Sequence, residues 1–190
     1  MPSLPFSRRL MLAALTLLPL ASRTKAQDST AAPDLSGRVL VVLYTRSHNS
    51  RIPAELVRRR TGGDLFEIRT RDPYPIDYFE TVEQVTRERE VGYRPPLDGE
   101  VADIAGYDTI VLAFPIWGGS LPPPVRSFLD AHDLGGKRLV PMICHGGYGP
   151  GEAMALLRAA APEVEVTAPF VMEGEQERRV VNRVDDWLGG

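Results

Sequence analysis

The chain reads as an α/β protein: a five-stranded parallel sheet in the doubly wound order 2-1-3-4-5, with helices on both faces as a three-layer sandwich. Short apolar runs alternate with helical patterns along its length. The first run, Val39-Leu40-Val41-Val42-Leu43-Tyr44, is apolar throughout and β-branched at three positions, as suits a strand buried on both faces. It breaks into a polar loop and then at once into a helical pattern marked by Ile52 and Leu56. At 190 residues, 43% hydrophobic and 25% charged, the composition is that of a globular domain with an appendage.

The expected strands are Arg38–Tyr44, Leu65–Arg69, Thr109–Phe114, Arg138–Cys144 and Val164–Met172. Between and after them, helical spacing predicts helices over Ser50–Arg60, Ile76–Val91, Pro123–Ala131, Gly151–Ala160 and Glu175–Leu188. Pro122-Pro123-Pro124 sit where a helix start tolerates missing N–H groups, and Val125, Phe128 and Leu129 then form an apolar face. In the last helix Val180, Val184 and Trp187 fall on one face, so Trp187 is expected in the core. Residues 70–97 form the longest connection and either cover part of a site or wrap the surface.

The appendage is the N-terminus. Arg8 and Arg9 precede an apolar run from Leu10 to Leu20, and Thr24-Lys25-Ala26 places small residues for cleavage before Gln27. Residues 1–26 therefore read as an export signal, 27–37 as a flexible linker and 38–190 as the domain. The apolar run is about eleven residues, short of the roughly 20 that span a bilayer, so no stable membrane anchor is expected after cleavage. Ser7-Arg8-Arg9-Leu10-Met11-Leu12 resembles a twin-arginine signal, with Ala13 in place of the common Lys, and ordinary secretory export is the alternative. Either route implies an exported, periplasmic protein.

Removing Arg8, Arg9, Arg23 and Lys25, with no acid among the first 26 residues, takes the net charge from −3 to −7. A duplex nucleic acid is repelled by such a surface. Arg58-Arg59-Arg60, the densest basic run of the domain, reads as a solvated helix face. The single cysteine, Cys144, cannot form an internal disulfide and reads as a small buried hydrophobe. His48, His132 and His145 are scattered without metal-ligand spacing, and no nucleophile elbow surrounds Ser120.

In an open parallel sheet ligands bind beyond the carboxyl ends of the strands. Three loops fall there: Thr45–Ser50, Pro115–Pro122 and His145–Gly151. The first sets hydroxyls and backbone N–H groups at a helix N-terminus, which suits a phosphate, although Ser, Thr and Asn at a helix start also serve simply as caps. The other two are Gly-rich and carry Trp117 and Tyr148, as suits a flat ring joined to a phosphate tail.

From Arg38 to about Met172 the chain resembles the flavodoxins, above all their shorter flavodoxin-like relatives. Three motifs carry the resemblance: Thr45-Arg46-Ser47-His48-Asn49-Ser50, Phe114-Pro115-Ile116-Trp117-Gly118-Gly119 and His145-Gly146-Gly147-Tyr148-Gly149. The family commonly shows Ser/Thr-x-Thr-Gly-Asn-Thr, Tyr-Pro-Ile-Trp-Trp-Gly and a Gly/Ser-rich loop at these places. The resemblance implies a flavodoxin-like fold and noncovalent FMN. It gives Thr45, Ser47, Asn49 and Ser50 the phosphate, with a backbone N–H from Arg46. Trp117 or Tyr148 would stack on the isoalloxazine ring, beside Pro115 and Ile116. Gly118 and Gly119 would let the backbone approach the ring, whose polar edge the loop from His145 through Gly146, Gly147 and Tyr148 to Gly149 would meet.

His48 stands where the family has Gly, in a backbone region that His tolerates better than most residues. Gly118 replaces the family's second Trp. The expected function is electron transfer with redox partner proteins or small acceptors, needing no catalytic side chain. The alternatives are an FMN-dependent NAD(P)H or quinone-type oxidoreductase and a binding module that has lost flavin.

Overall fold

The computed structural model describes residues 33–188, so the proposed signal and most of the proposed linker lie outside the described residues. In chain order the elements are β1 (Val39–Leu43), α1 (Arg51–Thr61), β2 (Asp64–Glu67), α2 (Tyr78–Glu90), β3 (Thr109–Pro115), α3 (Pro123–Ala131), β4 (Arg138–His145), α4 (Ala153–Ala160), β5 (Glu165–Val166), β6 (Phe170–Glu173) and α5 (Glu177–Leu188). A single 3-10 turn, Ile104–Gly106, leads into β3.

The sheet runs β2-β1-β3-β4-β5 with every pairing parallel, the order that the alternating pattern predicted. Successive strand residues point to opposite faces, and both faces are covered. Leu40, Val42, Ile110, Leu112, Leu139 and Ile143 face one layer, with Val125 and Phe128 of α3 and Leu157 of α4. Val39, Val41, Val111, Ala113, Val140 and Met142 face the other, against Ala54 of α1. That two-sided burial is why β1 and β3 read as unbroken apolar runs.

The expected fifth strand is two pieces. β5 pairs with β4 as Arg138 with Glu165, and β6 as Met142 with Phe170, so the register slips by one residue between them. The slip falls at Thr167-Ala168-Pro169, where Pro169 has no N–H to give the ladder.

Trp187 is a second difference: it is 82% exposed, not core, and Val180 and Val184 are exposed with it. Helical spacing identifies an apolar face but not what covers it. A third lies at the linker's end. Asp34 accepts from Arg138 Nη1 on its backbone oxygen at 3.0 Å and on Oδ2 at 3.1 Å, and Leu35 packs on the sheet core. Residues 34–37 are therefore fastened to the domain, because the edge of β3 and β4 offers them partners.

The long connection folds back on itself. Thr70 and Leu97 form an antiparallel bridge, and Arg71 N–H donates to Pro96 at 2.9 Å, which pinches the base of the excursion. Within it Asp77 caps α2 by accepting from Glu80 N–H at 2.9 Å, so the helix starts at Tyr78 rather than Ile76.

Phe128 is fully buried, stacked on His132 at 4.3 Å and near Phe66 at 5.9 Å. Phe128→Ala is expected to lower stability by about 3–5 kcal/mol in urea unfolding, since three layers of side chains meet there and cannot collapse into the gap.

Candidate functional site

The carboxyl ends of β1, β3, β4 and β6 open into one cleft of about 450 Å³. Its walls carry most of the residues expected from the three loops: Arg46, Ser47 and Asn49 from the first, Pro115, Ile116, Trp117, Gly118 and Gly119 from the second, and His145, Gly146, Tyr148 and Gly149 from the third. Thr45, His48, Ser50 and Gly147 belong to the same loops but do not line its wall.

The first loop turns at His48, whose φ of 63° is the single left-handed angle outside glycine among the described residues. The carbonyl of His48 then accepts from Arg51 N–H at 3.0 Å, which closes the turn into α1. Ser50 occupies the N-cap position of α1, yet its side chain caps nothing. Its Oγ is buried beside the Cys144 thiol and makes no well-formed hydrogen bond, and the residue is 1% exposed. The first turn of α1 holds no acid, while Arg58, Arg59 and Arg60 sit in its last turn. A buried hydroxyl without a well-formed hydrogen bond, at the positive end of an eleven-residue helix whose first turn holds no acid, fits a phosphate better than it fits capping.

The rest of the loop is already engaged. Asn49 Nδ2 donates to Ser47 Oγ at 3.2 Å and to Glu175 O at 2.9 Å. Gly174 passes so near Asn49 that a Cβ there would sit 3.0 Å from its amide. Arg46 donates to Ile76 O at 3.0 Å, and its Nη2 faces Glu177 as an ion pair without hydrogen-bond alignment. Two expected phosphate-loop residues thus hold the cleft's walls together through their side chains, leaving Ser47, Ser50 and the backbone for an anion.

The second loop is a tight hairpin-like turn. Trp117 and Ser120 exchange backbone hydrogen bonds of 3.1 and 3.0 Å, with φ of 53° at Gly118 and 76° at Gly119. Two successive left-handed residues define a type I′ turn, which a side chain at either position would strain. Arg89 Nη1 of α2 lies against Gly118 and donates to its carbonyl at 2.8 Å.

Trp117 is half-buried and meets Tyr44 and Tyr74 edge-to-face, at 5.3 and 5.1 Å. The Tyr74 hydroxyl donates to Glu88 Oε2 at 2.6 Å, and Gln84 Nε2 donates to Glu88 Oε1 at 2.8 Å. Burial, and then the Glu88 carboxylate, hold the Tyr74 phenol well above its ordinary pKa, so it stays protonated and donating. Trp117 therefore serves the core and the cleft at once, with its ring orientation fixed from behind. Tyr148, in contrast, is 86% exposed at the rim.

Two further walls close the cleft: one comes from the connection over 70–97, which covers part of the site as one of its two expected roles, and the other the sequence reading missed. Tyr78, Thr81, Val82, Val85, Thr86 and Arg89 of α2 line the cleft, as do Gly174, Glu175, Gln176 and Glu177 after β6. The second set lies beyond the carboxyl end of a strand, so the rule that found the three loops would have found it too. Cys144 also reaches the cleft, and burial raises its thiol pKa against the smaller opposing effect of the Ser50 hydroxyl, so it remains a neutral wall atom.

A family model described as Flavodoxin matches residues 38–188, and the chain belongs to that family. Among solved structures, the chain is similar to a candidate flavoprotein from Bacteroides eggerthii DSM 20697, with 24% identity and a TM-score of 0.66 over 78% of this chain and 96% of that one. A candidate flavoprotein from Bacteroides uniformis ATCC 8492 matches at 24% identity and TM-score 0.66, over 78% and 98%. A flavoprotein in complex with FMN from Lactobacillus acidophilus NCFM matches at 17% identity and TM-score 0.62, over 80% and 99%. No curated protein matches the chain.

His48→Gly is expected to raise stability by about 1 kcal/mol. Relief of the left-handed penalty outweighs glycine's greater freedom in the unfolded chain. His48→Val is expected to lower it, and thermal unfolding of the two variants checks both signs.

Proposed function

We propose that the protein binds FMN noncovalently in this cleft and transfers electrons through it after export to the periplasm. The observation that carries the reading is the N-terminus of α1, with no acid in its first turn and the buried Ser50 hydroxyl making no well-formed hydrogen bond, beneath a cleft of about 450 Å³. A flavoprotein in complex with FMN among the structures of similar fold supports it. When bound, FMN would supply one- or two-electron chemistry, while the protein sets its potential by stacking, hydrogen bonds and charge.

On this reading Ser47, Ser50 and the N–H groups that open α1 hold the phosphate. Trp117, braced by Tyr44 and Tyr74, offers the flat ring an edge or face, and Tyr148 covers it from the rim. Gly118 and the loop from His145 to Gly149 bring backbone N–H and C=O groups to the ring's polar edge. Asn49 and Arg46 keep the loops from separating. The chain's own side chains need make no proton transfer. Residues 1–26 would direct export and leave an acidic mature domain, suited to partners of opposite charge.

A second reading, an FMN-dependent reductase of small acceptors, is favoured by one feature. Six residues of α2 wall the cleft in addition to the loops that the flavin itself would need. Turnover of NAD(P)H with quinones separates this enzyme from a carrier.

Titrating the mature chain with FMN is expected to quench flavin fluorescence and give a stable yellow protein. A folded chain that leaves FMN fluorescence unchanged would sink the proposal and favour the flavin-free module. Ser50→Ala is expected to leave the stability of the FMN-free protein within about 0.5 kcal/mol, since the hydroxyl makes no well-formed hydrogen bond there, yet weaken FMN binding about ten-fold.

A further inference from the structure

Arg89 and Arg126 converge on the turn that follows β3, with Arg94 near Arg126. Arg89, from α2, donates through Nη1 to Gly118 O at 2.8 Å and lines the cleft. Arg126, from α3, donates through Nη2 to Ser120 Oγ at 2.8 Å, two residues further on. Arg94 reaches Asp130, one helical turn past Arg126, with Nε 2.7 Å from Oδ2. Arg94 is thereby neutralised. Arg89 and Arg126 have no ion-pair partner among the described residues.

This arrangement is costly as it stands. Arg126 is half-buried, and its Nε is shielded from water without any hydrogen-bond partner. Burial, and then the like charges of Arg94 and Arg89, work against its protonated form, while Asp130 and Glu152 favour it. Asp130 is already committed to Arg94, and Glu152 is an exposed side chain at the start of α4. A domain with more acids than bases thus keeps two guanidinium groups unpaired at one turn, Arg89 on the cleft wall and Arg126 at Ser120 just outside it. A desolvated cation tolerates such a place when an anion completes it.

Resting on the reading of the cleft as a flavin site, we propose that Arg89 and Arg126 form a recognition site for the anionic head group of a small molecule that enters beside FMN. The head group is a carboxylate, sulfonate or phosphate, and the rest of the molecule lies along the α2 wall of Val82, Val85 and Thr86 toward Trp117. The planar guanidinium fork suits such oxyanions better than a Lys would. The turn holds both arginines, Arg89 on the Gly118 carbonyl and Arg126 on the Ser120 hydroxyl. An anionic quinone-like acceptor fits this chemistry.

The test uses the FMN-loaded mature chain, in which the phosphate cradle at α1 is filled. Anthraquinone-2-sulfonate and the neutral 2-(hydroxymethyl)anthraquinone are titrated while the arginine Nε–H signals are followed by ¹⁵N NMR. The expected result is about ten-fold tighter binding of the sulfonate, with the Arg89 and Arg126 signals shifting, and competition by inorganic sulfate. Arg126→Gln removes the preference while circular dichroism stays unchanged, and Arg126→Lys restores it in part. Equal affinity for the two anthraquinones, or a preference that survives both Arg126→Gln and Arg89→Gln, overturns the proposal. Failure of the flavin reading shows separately, as a chain that takes up no FMN. Sulfate that still shifts the Arg126 signal there supports the anion site alone.

Discussion

The parallel pairing of β1 with β3 and of β3 with β4 is the constraint on which the site depends. Because all these strands run one way, the chain leaves each at the same edge, and each exit loop must begin there. Val41 beside Val111 and Val111 beside Val140 fix the register through side chains buried on both faces. A slip of one residue would turn each strand's apolar set to the wrong layer, so the register is strongly held. The relative heights of Thr45, Pro115 and His145, and hence the shape of the cleft, follow from packing far from the chemistry.

On that platform the loops are held by long-range polar stitches. Asn49 reaches Glu175, Arg46 reaches Ile76 and Glu177, and Arg89 reaches Gly118. The first two join an exit loop to segments that arrive later in the chain and the third to a helix that precedes it, so the walls are set before any ligand enters. Pre-set walls reduce the ordering cost that binding would otherwise carry. Two features run against local preference: the left-handed His48 and the uncapped Ser50. Both lie in the turn that opens α1, and such departures are expected where function competes with stability.

Much of this was legible in the sequence, for local reasons. The doubly buried strands announce themselves as unbroken apolar runs, and the exit loops as sudden changes to Ser, Gly and Asn. His48 was legible as a left-handed position because the resemblance supplied a Gly there. What the sequence hid was decided by encounters between distant segments. Nothing local says that the connection from 70 to 97 folds back to set Arg89 on Gly118, or that Asn49 meets a carbonyl 126 residues away. The break in the last strand was written in Pro169 but passed over, since the apolar run around it looked continuous. Trp187 misled because a helical stripe records an apolar face and not its cover.

The central claim is that the N-terminus of α1 binds the phosphate of FMN, and ³¹P NMR of FMN mixed with the mature protein tests it most directly. A free phosphate monoester takes up its second proton near pH 6. Held by α1 N–H groups and Ser50, the phosphate should give a shifted signal that stays dianionic from pH 8 down to about 5. A signal that remains at the position of free FMN and titrates near pH 6, in a protein whose circular dichroism shows it folded, would contradict the account.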